Sequence, residues 1–221
     1  MIDTFFNLRV LTETMPLVLS GLWVTLLLGL ASILLGTGGG LALAVVRVYG
    51  PRWARMLAAG YIDVLRAIPL LVLLIVIYYA LPFLGIRLSP FAAATSAISL
   101  VAAAYSAEIF RAGIEAIPSG QIDASRALGL SWWLSFRLVV LPQAVRIIVP
   151  PLTGNAINII KDTALASVVA LPDLLKQATQ AQALAANPSP LIGAALIYLA
   201  ILLPLVRIVA HLERRHATAR R

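Results

Sequence analysis

The stretch DASRALGLSWWLSFRLVVLPQA, residues 123–144, decides the fold, because it places a polar turn inside a chain that is otherwise strongly apolar. It begins with charged and hydroxyl side chains, passes Gly129 and then enters an apolar run that reaches a leucine-proline pair. A glycine can adopt the left-handed conformation that ends a helix, and Ser131 can cap the helix that follows. We therefore predict a short surface helix, a glycine corner and a return into an apolar layer.

The composition identifies that layer as a lipid bilayer. The chain has 221 residues, of which 61% are hydrophobic and 12% charged, whereas about 25% of the residues of a soluble domain are charged. A helix needs about 20 apolar residues to cross the hydrocarbon core. Five stretches supply that length: residues 17–46, 54–81, 91–110, 135–160 and 191–210. These features predict an all-α polytopic membrane protein with about five transmembrane helices, and we treat residues 1–221 as one domain.

The basic residues predict how the chain is oriented. Most of the 17 lysines and arginines fall in connections and in a tail that alternate spans would place on the same side, which the positive-inside rule assigns to the cytoplasm. Segment 1–16 is then extracytoplasmic, and the basic tail 211–221 is cytoplasmic. The first 16 residues are too polar for a removable signal peptide. The tail could bind anionic lipid, although a solvated flank is the simpler interpretation.

Polar side chains interrupt the fourth span. Asn155, Asn158 and Asp162 follow i, i+3, i+7 spacing and share one helical face, and we expect Pro142, Pro150 and Pro151 to break the helix. Polar groups at membrane depth persist only where protein or water covers them. A translocation pathway is therefore favoured over a buried structural network.

The other spans carry fewer polar groups. Asp63 and Arg66 in the second span lie three residues apart, so we expect them to pair or to face a wet cavity, and Pro69 should kink their helix. Thr95, Ser96 and Ser99 in the third span suit helix packing at least as well as binding. The glycines of GTGGG, residues 36–40, favour close helix packing, since no Gly-Lys-Ser/Thr follows as a nucleotide-binding loop requires.

Several kinds of site are not predicted. The chain has no cysteine and two histidines, both in the tail, so we predict no metal site. We likewise predict no cofactor, no catalytic residue and no binding of nucleic acid.

The pattern of residues 121–144 resembles the cytoplasmic EAA loop of ABC-importer permeases, which reads Glu-Ala-Ala, three residues, glycine, a spacer, a hydrophobic residue and Leu-Pro. The corresponding residues are Asp123-Ala124-Ser125, Gly129 and Leu141-Pro142. Three further segments resemble the polar amino acid branch of that family: YIDVLRAIPLLVLLIVIYYALP, AAYSAEIFRAGIEAIPSGQ and LPQAVRIIVPPLTGNAINIIKDTALASVV. Departures from the branch include Asp123, Ser125, the pair Ala67-Ile68 and Ala164.

The resemblance implies a MetI-like permease fold in the bacterial inner membrane and several partners. These are a second permease subunit, identical or not, two cytoplasmic ATP-binding cassette ATPase subunits, a periplasmic or lipid-anchored binding protein, an amino acid substrate and membrane lipids. The permease itself would not hydrolyse ATP. It would receive the ATPase on a coupling helix, residues 119–131. The implied docking residues are Gln121, Asp123, Ala124, Ser125, Arg126, Gly129 and Leu130.

An amino acid zwitterion needs an acceptor for its ammonium group and donors for its carboxylate. Asp162 is our candidate for the ammonium group. Candidates for the carboxylate or the substrate side chain are Thr163, Asn158, Thr95, Ser96 and Ser99, and Arg66 is a candidate for long-range attraction or an internal ion pair. Two other functions remain open: a secondary transporter, which predicts inverted repeats, and a membrane scaffold, which predicts no dependence on an ATPase.

Overall fold

The structure, a computed structural model, describes residues 6–218, with side chains described for residues 6–211. Its helices in chain order are α1 (Leu8–Tyr49), α2 (Arg52–Ala67), α3 (Leu70–Leu84), α4 (Pro90–Glu115), α5 (Ser119–Ala127), α6 (Trp132–Val169), α7 (Leu174–Ala185) and α8 (Ser189–Thr218). Helix α3 ends in a π-helical turn and a 3₁₀ turn. No strand occurs within the described part of the chain.

Four helices are long and apolar enough to cross a bilayer, namely α1, α4, α6 and α8. Helices α2 and α3 pass the same test together, which brings the count to five if the pair is one broken span. The prediction of an all-α membrane protein with about five spans is therefore confirmed. Its largest buried cluster joins α1, α3, α4 and α6.

The second predicted span is broken at Ile68 and Pro69. Helices α2 and α3 meet at an angle of 101°, and Ile68 is extended, with φ −79° and ψ 128°. Proline disfavours helical backbone in the residue before it, so the chain turns here. The kink predicted at Pro69 is confirmed, and it is sharp enough to change the direction of the span.

The prolines of α6 behave differently from our expectation. Pro150 and Pro151 lie inside a continuous α-helix, Leu141–Asp162, so the predicted break at these positions is wrong. Membrane helices tolerate proline because neighbouring helices and local π or 3₁₀ turns accommodate the freed backbone groups. Here a π-helical turn, Phe136–Val140, precedes Pro142, and a 3₁₀ segment, Thr163–Val169, follows the helix.

Helices α1 and α4 pack closely along the glycines of residues 36–40. A Cβ atom on Gly36 would lie 2.5 Å from that of Ala102, and one on Gly40 would lie 2.8 Å from the carbonyl oxygen of Ala103. Gly38, on another face of α1, has no neighbour within 4 Å of such an atom. The interpretation of this segment as a packing surface is confirmed.

Helix α7 is amphipathic and buries one of its faces. Leu174, Ala178 and Ala181 lie in a buried cluster with Val18 of α1 and Ala194 of α8, whereas Thr179 and Gln180 are exposed. The helix is followed by Ala186 in left-handed conformation.

The two terminal segments are partly helical. Of the predicted extracytoplasmic segment, α1 already includes residues 8–16, and the backbone N–H of Asn7 donates to Ser189 Oγ at 2.9 Å, so α1 and α8 begin at the same end of the bundle. Residues 1–5 lie outside the described residues. The predicted basic tail begins within α8, while its side chains from residue 212 onward, and residues 219–221 altogether, also lie outside the description.

Candidate functional site

The polar face of α6 lines a cavity of about 320 Å³ between α4 and α6. Asn155, Asn158 and Asp162 all reach it, as the i, i+3, i+7 spacing predicted, together with Lys161 and with Tyr105 of α4. The remaining walls are apolar and belong to Ile98, Val101, Ala102 and Ile159. The cavity thus combines one anionic and one cationic side chain with two amides in an apolar surround.

A second cavity of about 510 Å³ continues from the first towards α8. The two share Tyr105, Asn155 and Asn158, and the second extends along Val206, Val209 and Ala210. From Asn155 to Asp162 the polar face rises by about 10 Å at 1.5 Å per residue. Polar groups therefore line about a third of the membrane thickness of about 30 Å.

A hydrogen bond joins this polar face to α4, and two contacts join α2 to α4 near it. Asn155 Nδ2 donates to Ser106 Oγ at 3.1 Å, and Tyr61 of α2 donates to the carbonyl oxygen of Leu100 at 2.9 Å. The guanidinium of Arg66 lies 5.4 Å from the centre of the Tyr105 ring, within the range of a cation–π interaction. Arg66 thereby fixes the aromatic ring that both cavities share.

Arg66 does not form the internal ion pair that we considered. Among the ion pairs of the described residues none joins Asp63 to Arg66, and both side chains are exposed in the single chain. Of the two predicted alternatives, the ion pair is therefore wrong. That these residues face a wet cavity stays a prediction.

The other predicted binding residues do not line the two cavities. Thr163 is fully buried, and its Oγ1 donates to the carbonyl oxygen of Ile160 at 2.6 Å. Thr95 is also buried, and neither it nor Ser96 or Ser99 belongs to the walls of either cavity. None of these four predicted residues therefore contributes to the walls of the site.

Three polar lining residues were absent from the predicted binding set, namely Asn155, Lys161 and Tyr105. Asn155 could have been included, because it shares the face of Asn158 and Asp162. Tyr105 gave a weaker signal, as the one tyrosine of an alanine-rich span. Its role depends on the approach of α6 and α8, which the local sequence does not specify.

The short helix α5 forms at the predicted place and ends as predicted. Gly129 is left-handed, with φ +78°, and its N–H donates to the carbonyl oxygen of Arg126 at 2.9 Å. Ser131 Oγ then accepts the N–H of Leu134 at 3.4 Å and caps α6. Ile122 anchors α5 to a buried cluster with Ile117 and Val140.

Most of the predicted docking side chains are accessible. Gln121, Asp123, Ala124, Arg126 and Gly129 are exposed and Leu130 is half-buried. Ser125 differs, because it is 3% exposed and its Oγ donates to the carbonyl oxygen of Ile122 at 2.7 Å. Ser125 therefore lies on the buried side of α5, while the exposed side chains are free to contact a partner.

Comparison with known proteins gives consistent relatives. Residues 36–218 match the family model described as the inner membrane component of binding-protein-dependent transport systems. A probable amino-acid ABC transporter permease protein, YckA of Bacillus subtilis, is 38% identical over 80% of this chain and 78% of its own length. The glutamate/aspartate import permease protein GltK of Escherichia coli is 34% identical over 96% and 99%.

Solved structures agree with the architecture. The crystal structure of an amino acid ABC transporter with histidines contains a chain that is 35% identical, with a TM-score of 0.87 over 96% of this chain and 98% of that one. The MetNI methionine ABC transporter, at 24% identity, supports the fold alone, with a TM-score of 0.71 over 90% of this chain and 98% of that one.

Proposed function

Since the chain belongs to the family of inner membrane components of binding-protein-dependent transport systems, we propose that the polar face of α6 lines the path of its substrate. The chain is an amino-acid ABC importer permease, as its relatives over nearly the whole length are. A secondary transporter and a membrane scaffold are thereby disfavoured.

The observation that carries the proposal is that one cavity contains side chains of opposite charge. Lys161 and Asp162 both line it, beside Asn155 and Asn158. A zwitterionic amino acid presents an ammonium and a carboxylate group, so Asp162 would accept from the first and Lys161 or the amides would donate to the second. The cavity of about 320 Å³ lies within the range of about 300 to 1,000 Å³ typical of small-molecule sites.

Four predicted residues would act indirectly if they act at all, because they line neither cavity: Thr163, Thr95, Ser96 and Ser99. Arg66 would act through Tyr105, by holding its ring at the junction of the two cavities. The residues proposed to contact the substrate directly are therefore Asp162, Asn158, Asn155 and Lys161.

The conformational change that ATP hydrolysis drives would be transmitted to this site through α5. The exposed residues Gln121, Asp123, Ala124, Arg126, Gly129 and Leu130 would dock in an ATPase subunit, which would carry out the hydrolysis of ATP, and Ser125 would keep the helix seated. A second permease, identical or not, and an extracytoplasmic binding protein would complete the importer. The N-terminus would lie outside the cell and the C-terminus in the cytoplasm, as the basic residues predict.

The test is Asp162→Asn in the assembled importer, reconstituted in liposomes with its binding protein. Uptake of labelled glutamine, arginine, glutamate and cystine, substrates suggested by the relatives' names, identifies the transported compound. We expect the variant to lower its uptake about tenfold to a hundredfold, because a hydrogen bond to a charged group contributes about 1.5 to 3 kcal/mol. The affinity of the binding protein should not change.

Glu13→Gln is the control, since Glu13 is an exposed carboxylate near the start of α1 that lines neither cavity. It should assemble and transport like the wild type. Wild-type uptake by Asp162→Asn would remove Asp162 from the path. Equal losses in both variants would mean that the loss of any carboxylate impairs the protein.

A further inference from the structure

A basic cavity of about 410 Å³ lies where α1 ends and α2 begins, beside the last turns of α4. It is separate from the proposed substrate path, with which it shares no residue. Its charged walls are Arg47, Arg52, Arg55, Arg111 and Glu115. Three helices thus direct four guanidinium groups into one space.

The carboxylates near this cavity neutralise only part of its charge. Glu108 lies 3.7 Å from Arg47 and 2.7 Å from Arg111, which also pairs with Glu115. Arg52 and Arg55 have no carboxylate within 4 Å among the described side chains. Four cations against two anions leave an excess of positive charge, which an anion entering the cavity would offset.

The surroundings of the cavity indicate what kind of anion fits. Trp53, Met56 and Leu57 of α2 are 67%, 74% and 67% exposed, and Met56 belongs to the cavity wall itself. An inorganic anion would gain nothing from this apolar border, whereas a lipid would place its acyl chains along it. Tryptophan beside arginine is also the pattern expected at the boundary between headgroups and hydrocarbon.

We propose that this cavity binds the phosphate headgroup of an anionic phospholipid, with its acyl chains lying against Trp53, Met56 and Leu57. Arg52 and Arg55 would contact the phosphate, because guanidinium groups match phosphate oxygens in a bidentate geometry. The bound lipid would then join the start of α2 to α1 and α4 at the membrane surface. Basic pockets between transmembrane helices commonly bind anionic headgroups.

The test uses the purified, delipidated importer and the double substitution Arg52→Gln with Arg55→Gln. Native mass spectrometry measures the affinity for the first molecule of phosphatidylglycerol and, separately, of phosphatidylcholine. We expect the wild type to prefer phosphatidylglycerol and the double variant to lose about twentyfold in affinity for it, with phosphatidylcholine unchanged. The matched control, Arg137→Gln with Arg146→Gln, removes two exposed arginines of α6 that lie outside the cavity, and should change the affinity less than about twofold.

Three results would overturn the proposal. One is a loss of less than about twofold in the Arg52/Arg55 variant, equal to that of the control. Another is competition by inorganic phosphate at the same concentration as the lipid, which would identify a free anion as the ligand. The third is normal lipid binding together with dissociation of the ATPase subunit, which would mean that an acidic segment of that subunit docks in the cavity. Circular dichroism of both double variants confirms that the helices are intact.

Discussion

At the scale of single residues, Asp173 places a carboxyl group inside the protein at the start of α7. It is fully buried; its Oδ1 accepts the N–H of Lys176 at 2.9 Å, and its Oδ2 has no partner among the described residues. Tyr198 and Gln177 also keep buried, unpartnered oxygens. Burial raises the pKa of Asp173 from an ordinary value of about 4 to about 6, against the smaller lowering effects of backbone N–H groups and Lys176.

This raised pKa predicts how stability depends on pH. Between about pH 4 and pH 6 the folded protein holds a proton that the unfolded chain has released, so stability falls as the pH rises through this window. Asp173→Asn keeps the cap on α7 and removes the buried charge, so above pH 7 the variant should be more stable by about 2 to 3 kcal/mol. Near pH 4 the two proteins should be equally stable.

Thermal unfolding of the purified chain in detergent, followed by tryptophan fluorescence from pH 4.5 to 8, measures this difference. Asp63→Asn, a substitution at an exposed aspartate, is the control, and its melting temperature at pH 8 should stay close to that of the wild type. A melting temperature of Asp173→Asn below that of the wild type at pH 8 would contradict the prediction. The sequence did not reveal that this residue is buried, because an aspartate at the start of an amphipathic helix can equally be exposed to solvent.

At the scale of secondary structure elements, the sequence predicts helices well and their bends poorly. Hydropathy located the spans because a bilayer leaves the backbone no alternative to the helix. Pro69 and Pro150 have the same local chemistry, yet the chain turns by 101° before the first and continues through the second. Such outcomes depend on packing with neighbouring helices, which no local pattern encodes.

The same reasoning separates the predicted site residues. Asn158 and Asp162 could be predicted because helical spacing alone places them on one face. Thr163 follows Asp162 directly, but it lies about 100° further around the helix and is buried. Thr95 and Ser99 required knowledge of which face of α4 meets α1, and hydroxyl groups suit either environment.

Gly129 is the element-scale feature that we expect to control coupling. Its φ of +78° lies in the left-handed region, while an added side chain would meet no atom within 4 Å. Gly129→Val should therefore strain the corner between α5 and α6 by about 1 to 2 kcal/mol without a steric clash. We expect the amount of substrate transported per ATP hydrolysed by the reconstituted importer to fall about tenfold.

Gly120→Val is the matched control for that experiment. Gly120 is an exposed glycine of α5 that also has no neighbour within 4 Å, but its φ is not positive. Transport and hydrolysis should stay coupled in this variant. Unchanged coupling in Gly129→Val, with the ATPase still bound, would count against α5 as the connection between the two subunits.

At the scale of the whole molecule, the single chain leaves polar side chains uncovered at membrane depth. Asp63, Arg66 and Lys161 are exposed, although charged groups within a membrane nearly always face a bundle interior or a water-filled cavity. A second permease subunit facing this side would enclose the polar residues of both chains around one aqueous path. The exposed charges thus support the proposal of a permease pair.

The orientation of the whole molecule provides the last prediction. Arg47, Arg52, Arg55 and Arg111 meet at one end of the bundle, whereas α7 with Lys176 follows the far end of α6. If the first end is cytoplasmic, Asp123 of α5 lies inside the cell and Thr179 of α7 lies outside.

Because the chain contains no cysteine, Asp123→Cys and Thr179→Cys each introduce a single reactive thiol at an exposed position. In intact spheroplasts a membrane-impermeant maleimide should label only the cysteine at position 179, and after permeabilisation it should label both. Labelling of position 123 in sealed spheroplasts would invert the topology and place α5 beyond the reach of any ATPase.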